Sequence, residues 1–347
     1  PFIAEMEDGA YRAKTMREWM MAAVALALGA VTAQAQAQDK PQNCTLKQIE
    51  SIPMEVYPDH LLLPVSFGDT PEKLVFLMQN AGSAISGDIV DKLKLHITSM
   101  PPNVHIKRNG EELTRIAHVR NMHLGRMTIE NMEFLMLKPG SYGGEVAGDL
   151  GTQLFEKVDL ELDIAAGKFN LFSSDHCPHN VVYWTKNYAE LPLKHERGFS
   201  FLRADVSLDG QPLTVSFSTE GRSRIGMDAM RRLFNIDETS PQLVAIGQDL
   251  LGHKTYRFPF KSLTAAGLTV SNPDIVVYDE PPRPECKTSM HYTDPDPNDR
   301  LHSTAQPRLT ENFGCNDAVL GLSVLSKLRI YVSRQENLLY VSAAGAK

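Results

Sequence analysis

One plan occurs twice in this chain of 347 residues, and that repeat narrows the possible folds more than any other feature of it. Each copy opens with a strand, a turn and a second strand: "LPVSFGDTPEKLVFLM" from Leu63 and "ADVSLDGQPLTVSF" from Ala204. Apolar and polar residues alternate on either side of a Gly-Asp or Asp-Gly pair, the pattern of a half-buried hairpin. Laying Val65 over Val206 leads, with slack in the turn, to Gly82 over Gly221. Helical segments follow in both copies, "DIVDKLKL" from Asp88 and "MDAMRRLFNI" from Met227, with apolar residues spaced for one buried face. The copies also close alike, with "GDLGTQLFEKVDLELDIAAGKFNLF" from Gly148 and "AVLGLSVLSKLRIYVSRQENLLYVS" from Ala318. Each closing stretch runs Leu-Gly, a short helix-like piece, then two alternating strands joined by a polar turn. An all-β fold with short helices is expected, built as two lobes over residues 53–177 and 198–343 with a linker at 178–197.

The function classes narrow by charge. A net charge of −7 with no basic stripe excludes nucleic acid as a partner, and no cluster of Lys and Arg suits an anionic membrane surface. The content of 42% hydrophobic and 22% charged residues is that of a soluble globular chain. No cofactor and no resident metal is expected.

Residues 1–37 read as an upstream extension followed by a signal peptide. From Met16, "MREWMMAAVALALGAVTAQAQAQ" supplies Arg17, an apolar run from Trp19 to Val31, and small-residue cleavage sites at Ala33-Gln34-Ala35 and Ala35-Gln36-Ala37. A membrane helix needs about 20 apolar residues, and this run is shorter. The expectation is a periplasmic or secreted protein with no stable membrane span once the signal is cleaved.

Export gives the cysteines a meaning. Cys44, Cys177, Cys286 and Cys315 are far apart and form no C-x-x-C, so neither a zinc site nor a thioredoxin-type motif fits. In an oxidising compartment they are expected as disulfides. Of the three possible pairings, Cys44 with Cys177 and Cys286 with Cys315 keeps each bridge within one half of the chain.

The repeated opening, the Leu150-Gly151 and Leu320-Gly321 pairs and the junction phrase "FSSDHCPHNVVYW" together resemble the retropepsin-like and pepsin-like aspartic protease family in its exported bacterial two-lobe form. That resemblance covers about residues 53–342. It implies two β-barrel lobes around a central cleft, each with a strand ending in Asp-Thr-Gly, a helix, a flap-like hairpin and a hydrophobic-hydrophobic-Gly motif. It also implies catalysis by two facing carboxylates that share a proton and hold one water, one acting as base while the other polarises the substrate carbonyl.

The chemistry departs from the family at that point. In the register set by the repeat, Gln79-Asn80-Ala81-Gly82 and Ser218-Thr219-Glu220-Gly221 fill the two Asp-Thr-Gly positions. A shift by one residue puts Asn80 and Thr219 in the acid slots, and neither register supplies an aspartate. Asp69 and Asp209 fall in hairpin turns, where Asp is routine, and Asp88 and Asp228 fall at helix starts, where Asp caps. Glu220 is the one acid inside a turn. Asp175, His176, Cys177 and His179 are metal-ligating types but too close in sequence to surround one ion unaided. The Pro-rich, polar stretch at 281–315 reads as a surface loop pinned by a disulfide. The expectation is a family member without dyad catalysis that keeps a cleft for an extended peptide, with an active peptidase using another acid, or a structural protein with a vestigial cleft, as alternatives.

Overall fold

The computed structural model describes residues 45–194, 202–248, 252–279 and 316–346, apart from 102, 103, 105, 109 and 110. The expected signal segment, Cys44, Cys286, Cys315 and the 281–315 loop lie outside the described residues. Cys177 is disulfide-bonded. No helix among the described residues is long and apolar enough to cross a membrane.

The alternating patterns form strands where they predict them. Leu61–Phe67 and Thr70–Phe76 make a hairpin with Leu63 opposite Leu74, and the alternate residues Leu61, Leu63, Val65 and Phe67 are buried. Gly148–Leu150 runs parallel to Thr70–Phe76, with Leu150 beside Phe76, and antiparallel to Ala84–Ile85. Ala84–Ile85 lies parallel to Met127–Met136, which pairs with Arg115–Leu124. Arg115–Leu124 returns to the first strand through Ser66 and Phe67. These pairings close a ring of six strands, so the first half is a barrel whose ring strands have no open edge.

The second half repeats the central pairings. Arg203–Leu208 and Gln211–Phe217 form the hairpin, with Ala204 opposite Val215. Ala318–Leu320 runs parallel to the second of them, Leu320 beside Phe217, and antiparallel to Ser223–Gly226. Ser223–Gly226 lies parallel to Ile275–Tyr278. The sheet continues to nine strands, and among the described residues no pairing closes it.

A third, six-stranded sheet takes strands from both halves. The closing hairpins Val158–Asp163/Lys168–Ser173 and Leu328–Ser333/Leu338–Ala343 meet with Leu160 opposite Val332 and Leu162 opposite Ile330. Gln48–Pro53 forms one edge. The other edge is Ala189–Pro192, inside the stretch expected to be plain linker. Ala189 and Leu191 alternate into the core, which makes this piece a strand, and Pro192 sits at its end where no ladder donor is needed.

One apolar core runs through both halves and the shared sheet. Phe76 and Phe169 meet edge-on at 4.9 Å within it, and each fully buried Leu or Phe contributes about 1.5–3 kcal/mol. The Leu-Gly pairs that close the two copies have a steric cause. A β carbon would lie 2.4 Å from Gly82 O at Gly151 and 2.6 Å from Gly221 O at Gly321, so only glycine lets backbone meet backbone there.

Candidate functional site

The site begins where the inner strands Thr70–Phe76 and Gln211–Phe217 end and their turns meet. Leu77 N donates to Leu150 O and Ser218 N donates to Leu320 O, each at 2.9 Å, so Leu77 and Ser218 hold equivalent places in the two halves. Beyond the turns, Ser83 Oγ accepts from Gly151 N and Ser223 Oγ from Gly321 N, each at 2.9 Å, which makes the two serines equivalent as well. The first turn is thereby one residue longer than the second. The backbone thus sets Leu77 against Ser218, Met78 against Thr219 and Gln79 against Glu220. This differs from the alignment of Gln79 with Ser218 and of Gly82 with Gly221 drawn from the sequence. The two glycines do different jobs: Gly221 has φ of +70°, which favours glycine, and Gly82 has no such torsion.

Thr219 ties the halves together. Its Oγ1 donates to Phe76 O at 2.5 Å and accepts from Met78 N at 2.9 Å, and its side chain is fully buried. Its N–H donates to Gln79 Oε1 at 3.2 Å, and Gln79 Nε2 donates to Glu220 Oε2 at 3.3 Å. Ser218 Oγ donates to Glu220 O at 3.0 Å. These bonds link Gln79, Ser218, Thr219 and Glu220. Asn80 is not among these contacts; its carbonyl faces away and accepts from Thr152 N and Oγ1 at 2.8 and 3.1 Å.

Three residues that sequence reasoning missed stand beside this meeting point. Asp149, wholly buried, accepts from Arg108 Nη1 at 2.6 Å, from the Tyr142 hydroxyl, and from Ala84 N at 3.2 Å. Arg108 comes from the two-stranded hairpin Ile106–Arg108/Glu111–Leu113, whose strands pair with no other sheet among the described residues. Tyr142 and Val146 pack on Leu62, Val75 and Leu77, so the carboxylate sits at the end of an apolar face. Burial pushes the Asp149 carboxyl up, with Arg108 pulling the other way. Burial also drives the Tyr142 phenol upward, aided by Asp149, so it remains a donor. Burial pulls the Arg108 guanidinium down most, but Asp149, Tyr142 and Glu220 together outweigh it and leave it above its usual value. One signal in the sequence pointed here: the repeat sets Asp149 of "GDLG" against Val319 of "AVLG", a carboxylate where the sister strand has an aliphatic residue.

The other acids have local duties. Asp88 accepts from Ser86 Oγ and from Gly140 N at 2.9 Å, and these bonds hold its carboxyl below the usual aspartate range. Asp209, in its turn, accepts from Lys261 N and Ser262 N at 2.8 and 2.7 Å. Asp69 lies in the first hairpin turn, and Asp228 lies exposed in the first turn of the helix Met227–Ala229. In the junction phrase, His176 Nε2 meets Asp159 Oδ2 at 2.6 Å, His179 Nδ1 meets Glu190 Oε2 at 2.8 Å, Cys177 is disulfide-bonded, and Asp175 is exposed. His176 and His179 also share Glu336, their Nδ1 atoms lying 3.7 and 3.9 Å from its carboxylate oxygens, while Cys177 and Asp175 are turned to other uses.

No protein-family model matches the chain, and no curated protein matches it. Among solved structures it is similar to the aspartic proteinase of Irpex lacteus, with 11% identity, a TM-score of 0.47, and 86% of this chain and 98% of that chain covered.

Proposed function

We propose that this is an exported protein of the aspartic-protease type that binds an extended peptide between its two halves and has no dyad catalysis. Two lobes, over residues 53–177 and 198–343, would enclose the cleft. The observation that carries the reading is that Leu77 and Ser218 hold the equivalent strand-end places of the two halves, the places where the family's Asp-Thr-Gly motifs begin. An alkyl group and a neutral hydroxyl thus stand in the sequence positions of the two carboxylates, and neither can take a proton from water in the working range. The interlock by Thr219 nevertheless joins the strand ends, so the two turns stay docked without the chemistry.

Peptide binding is supported by the isolated hairpin Ile106–Arg108/Glu111–Leu113, whose edges are unused by any other strand among the described residues and suit strand addition. Export is supported by the disulfide at Cys177, a bond rare in reducing compartments. Screening the purified protein against a library of extended peptides, with cleavage followed by mass spectrometry from acidic to neutral pH, tests the reading. Saturable binding with every peptide recovered intact is expected. Cleavage that persists in Glu220→Gln and disappears in Asp149→Asn would place an active peptidase here instead, and no binding at all would leave a structural role.

A further inference from the structure

Asp149 raises a question that the fold does not answer. The equivalent strand of the second half carries Val319 in its place and forms the same parallel and antiparallel pairings. The architecture thus has no need of a carboxylate there, and a buried ion pair is seldom more stabilising than well-packed apolar residues. The surroundings of Asp149 have the form of a receptor for a long basic side chain. The Tyr142 ring packs with Val146 on Leu62, Val75 and Leu77, which places its hydroxyl on Asp149, and the carboxylate and the hydroxyl together hold the Arg108 guanidinium. The group that fills this receptor, Arg108, belongs to the separate two-stranded hairpin and keeps 21% of its side chain exposed while Asp149 keeps none.

We propose that Asp149 and Tyr142 form a guanidinium-selective subsite, that Arg108 fills it as an internal occupant, and that an arginine side chain of a bound peptide takes it when Arg108 withdraws. The proposal rests on the peptide-binding reading for its ligand, and the pocket itself is testable without any peptide. Arginine is favoured over lysine because a planar fork can serve the carboxylate and stay in register with the tyrosine oxygen, which lies 3.4 Å from Arg108 Nη2. Glu220, whose charge is felt by both Arg108 and Tyr142, adds to the attraction for a cation. No bond is made or broken in the exchange; one guanidinium replaces another.

The test empties the pocket and refills it. Arg108→Ala should melt below the parent, and ethylguanidinium should raise its midpoint in a dose-dependent way that ethylammonium does not match. The double variant Arg108→Ala with Asp149→Val, which copies the valine of the second half and leaves no buried charge unpaired, should show no such selectivity. If Arg108→Ala is unfolded in plain buffer, a cooperative melt recovered by ethylguanidinium alone is the expected result. An arginine-bearing extended peptide should bind Arg108→Ala about tenfold more tightly than the parent, with the gain lost when citrulline replaces the arginine. Equal effects of the two cations, equal effects on the single and double variants, or no recovery by either cation would make Arg108–Asp149 an ordinary structural ion pair and overturn the proposal. Selective rescue without peptide binding would retain the pocket and reject the peptide reading.

Discussion

Thr219 carries more of the site than any other single side chain. Its hydroxyl satisfies a carbonyl and an amide of the opposite half at once, in a place with no exposure to water. Met78, its counterpart in the first half, has no hydroxyl to return the favour, so the interlock is one-sided. Replacing Thr219 by Val keeps the volume but leaves Phe76 O and Met78 N buried without partners, at a cost of about 1–3 kcal/mol. Urea unfolding should read that loss, and Thr219→Ser should recover most of it. Val and parent of equal stability would show that the two halves are held by packing alone. The identity of this residue as a candidate was legible from the repeat, but its partners were not. They lie 141 and 143 residues away and include a main-chain carbonyl, which leaves no trace in side-chain spacing. Asp149 was legible only as an oddity against Val319, since the arginine that gives it meaning comes from a hairpin with no counterpart in the repeat.

At the scale of elements, the segment at 174–188 lies over the shared six-stranded sheet and is fixed to it by polar contacts. His176 Nε2 meets Asp159 Oδ2 at 2.6 Å, Trp184 Nε1 donates to Ser342 Oγ at 2.8 Å, and Tyr183 hydroxyl donates to Glu161 at 2.8 Å. Arg329 stacks 4.4 Å above the Trp184 ring and binds Glu161 through Nε and Nη2. Asp159 is wholly buried and also accepts from Tyr331 hydroxyl and Arg334 N, each at 3.0 Å. His176→Leu removes one of the three donors to Asp159, leaving Tyr331 and Arg334 in place, and should cost about 1–3 kcal/mol. Adding Asp159→Asn should give part of this back, a coupling that a double-mutant cycle in urea measures. Additive losses would mean that the histidine acts only as filler. The sequence showed a cluster of metal-ligating types in "SDHCPH"; in the structure Cys177 is disulfide-bonded, Asp175 is exposed, and the two histidines divide their contacts among Asp159, Glu190 and a shared Glu336.

On the whole-molecule scale the fold was readable where strands alternate. The hairpins, the Leu-Gly closures and the closing strand pairs sit where their patterns put them. What the pattern left open was the register inside the turns, since the first is one residue longer and the conspicuous glycines are not the anchors. The serines that receive Gly151 N and Gly321 N are, and serine is too common in turns to stand out. The strand Ala189–Pro192 was hidden for a related reason, being only four residues long. The shared sheet makes the halves interdependent: Val158–Asp163 borrows its inner neighbour from Leu328–Ser333. A fragment of residues 45–194 should therefore be insoluble alone, and mixing it during refolding with residues 202–347 should restore a soluble pair with the circular dichroism of the intact protein. A soluble, cooperatively melting fragment would show that the first half needs no loan of strands.

The contact between Tyr331 and Asp159 spans 172 residues, and the strands on which they sit pair directly. Synthesis runs at about 5–20 residues per second, so Val158–Asp163 spends many seconds as an unpaired edge before its neighbour has even been made. Pairing over such a separation also slows the search that follows, because the loop must close before any contact rewards it. A nascent chain of this kind is a natural client for a holding chaperone, and the exposed edge at Val158–Asp163 is the segment such a helper would have to cover.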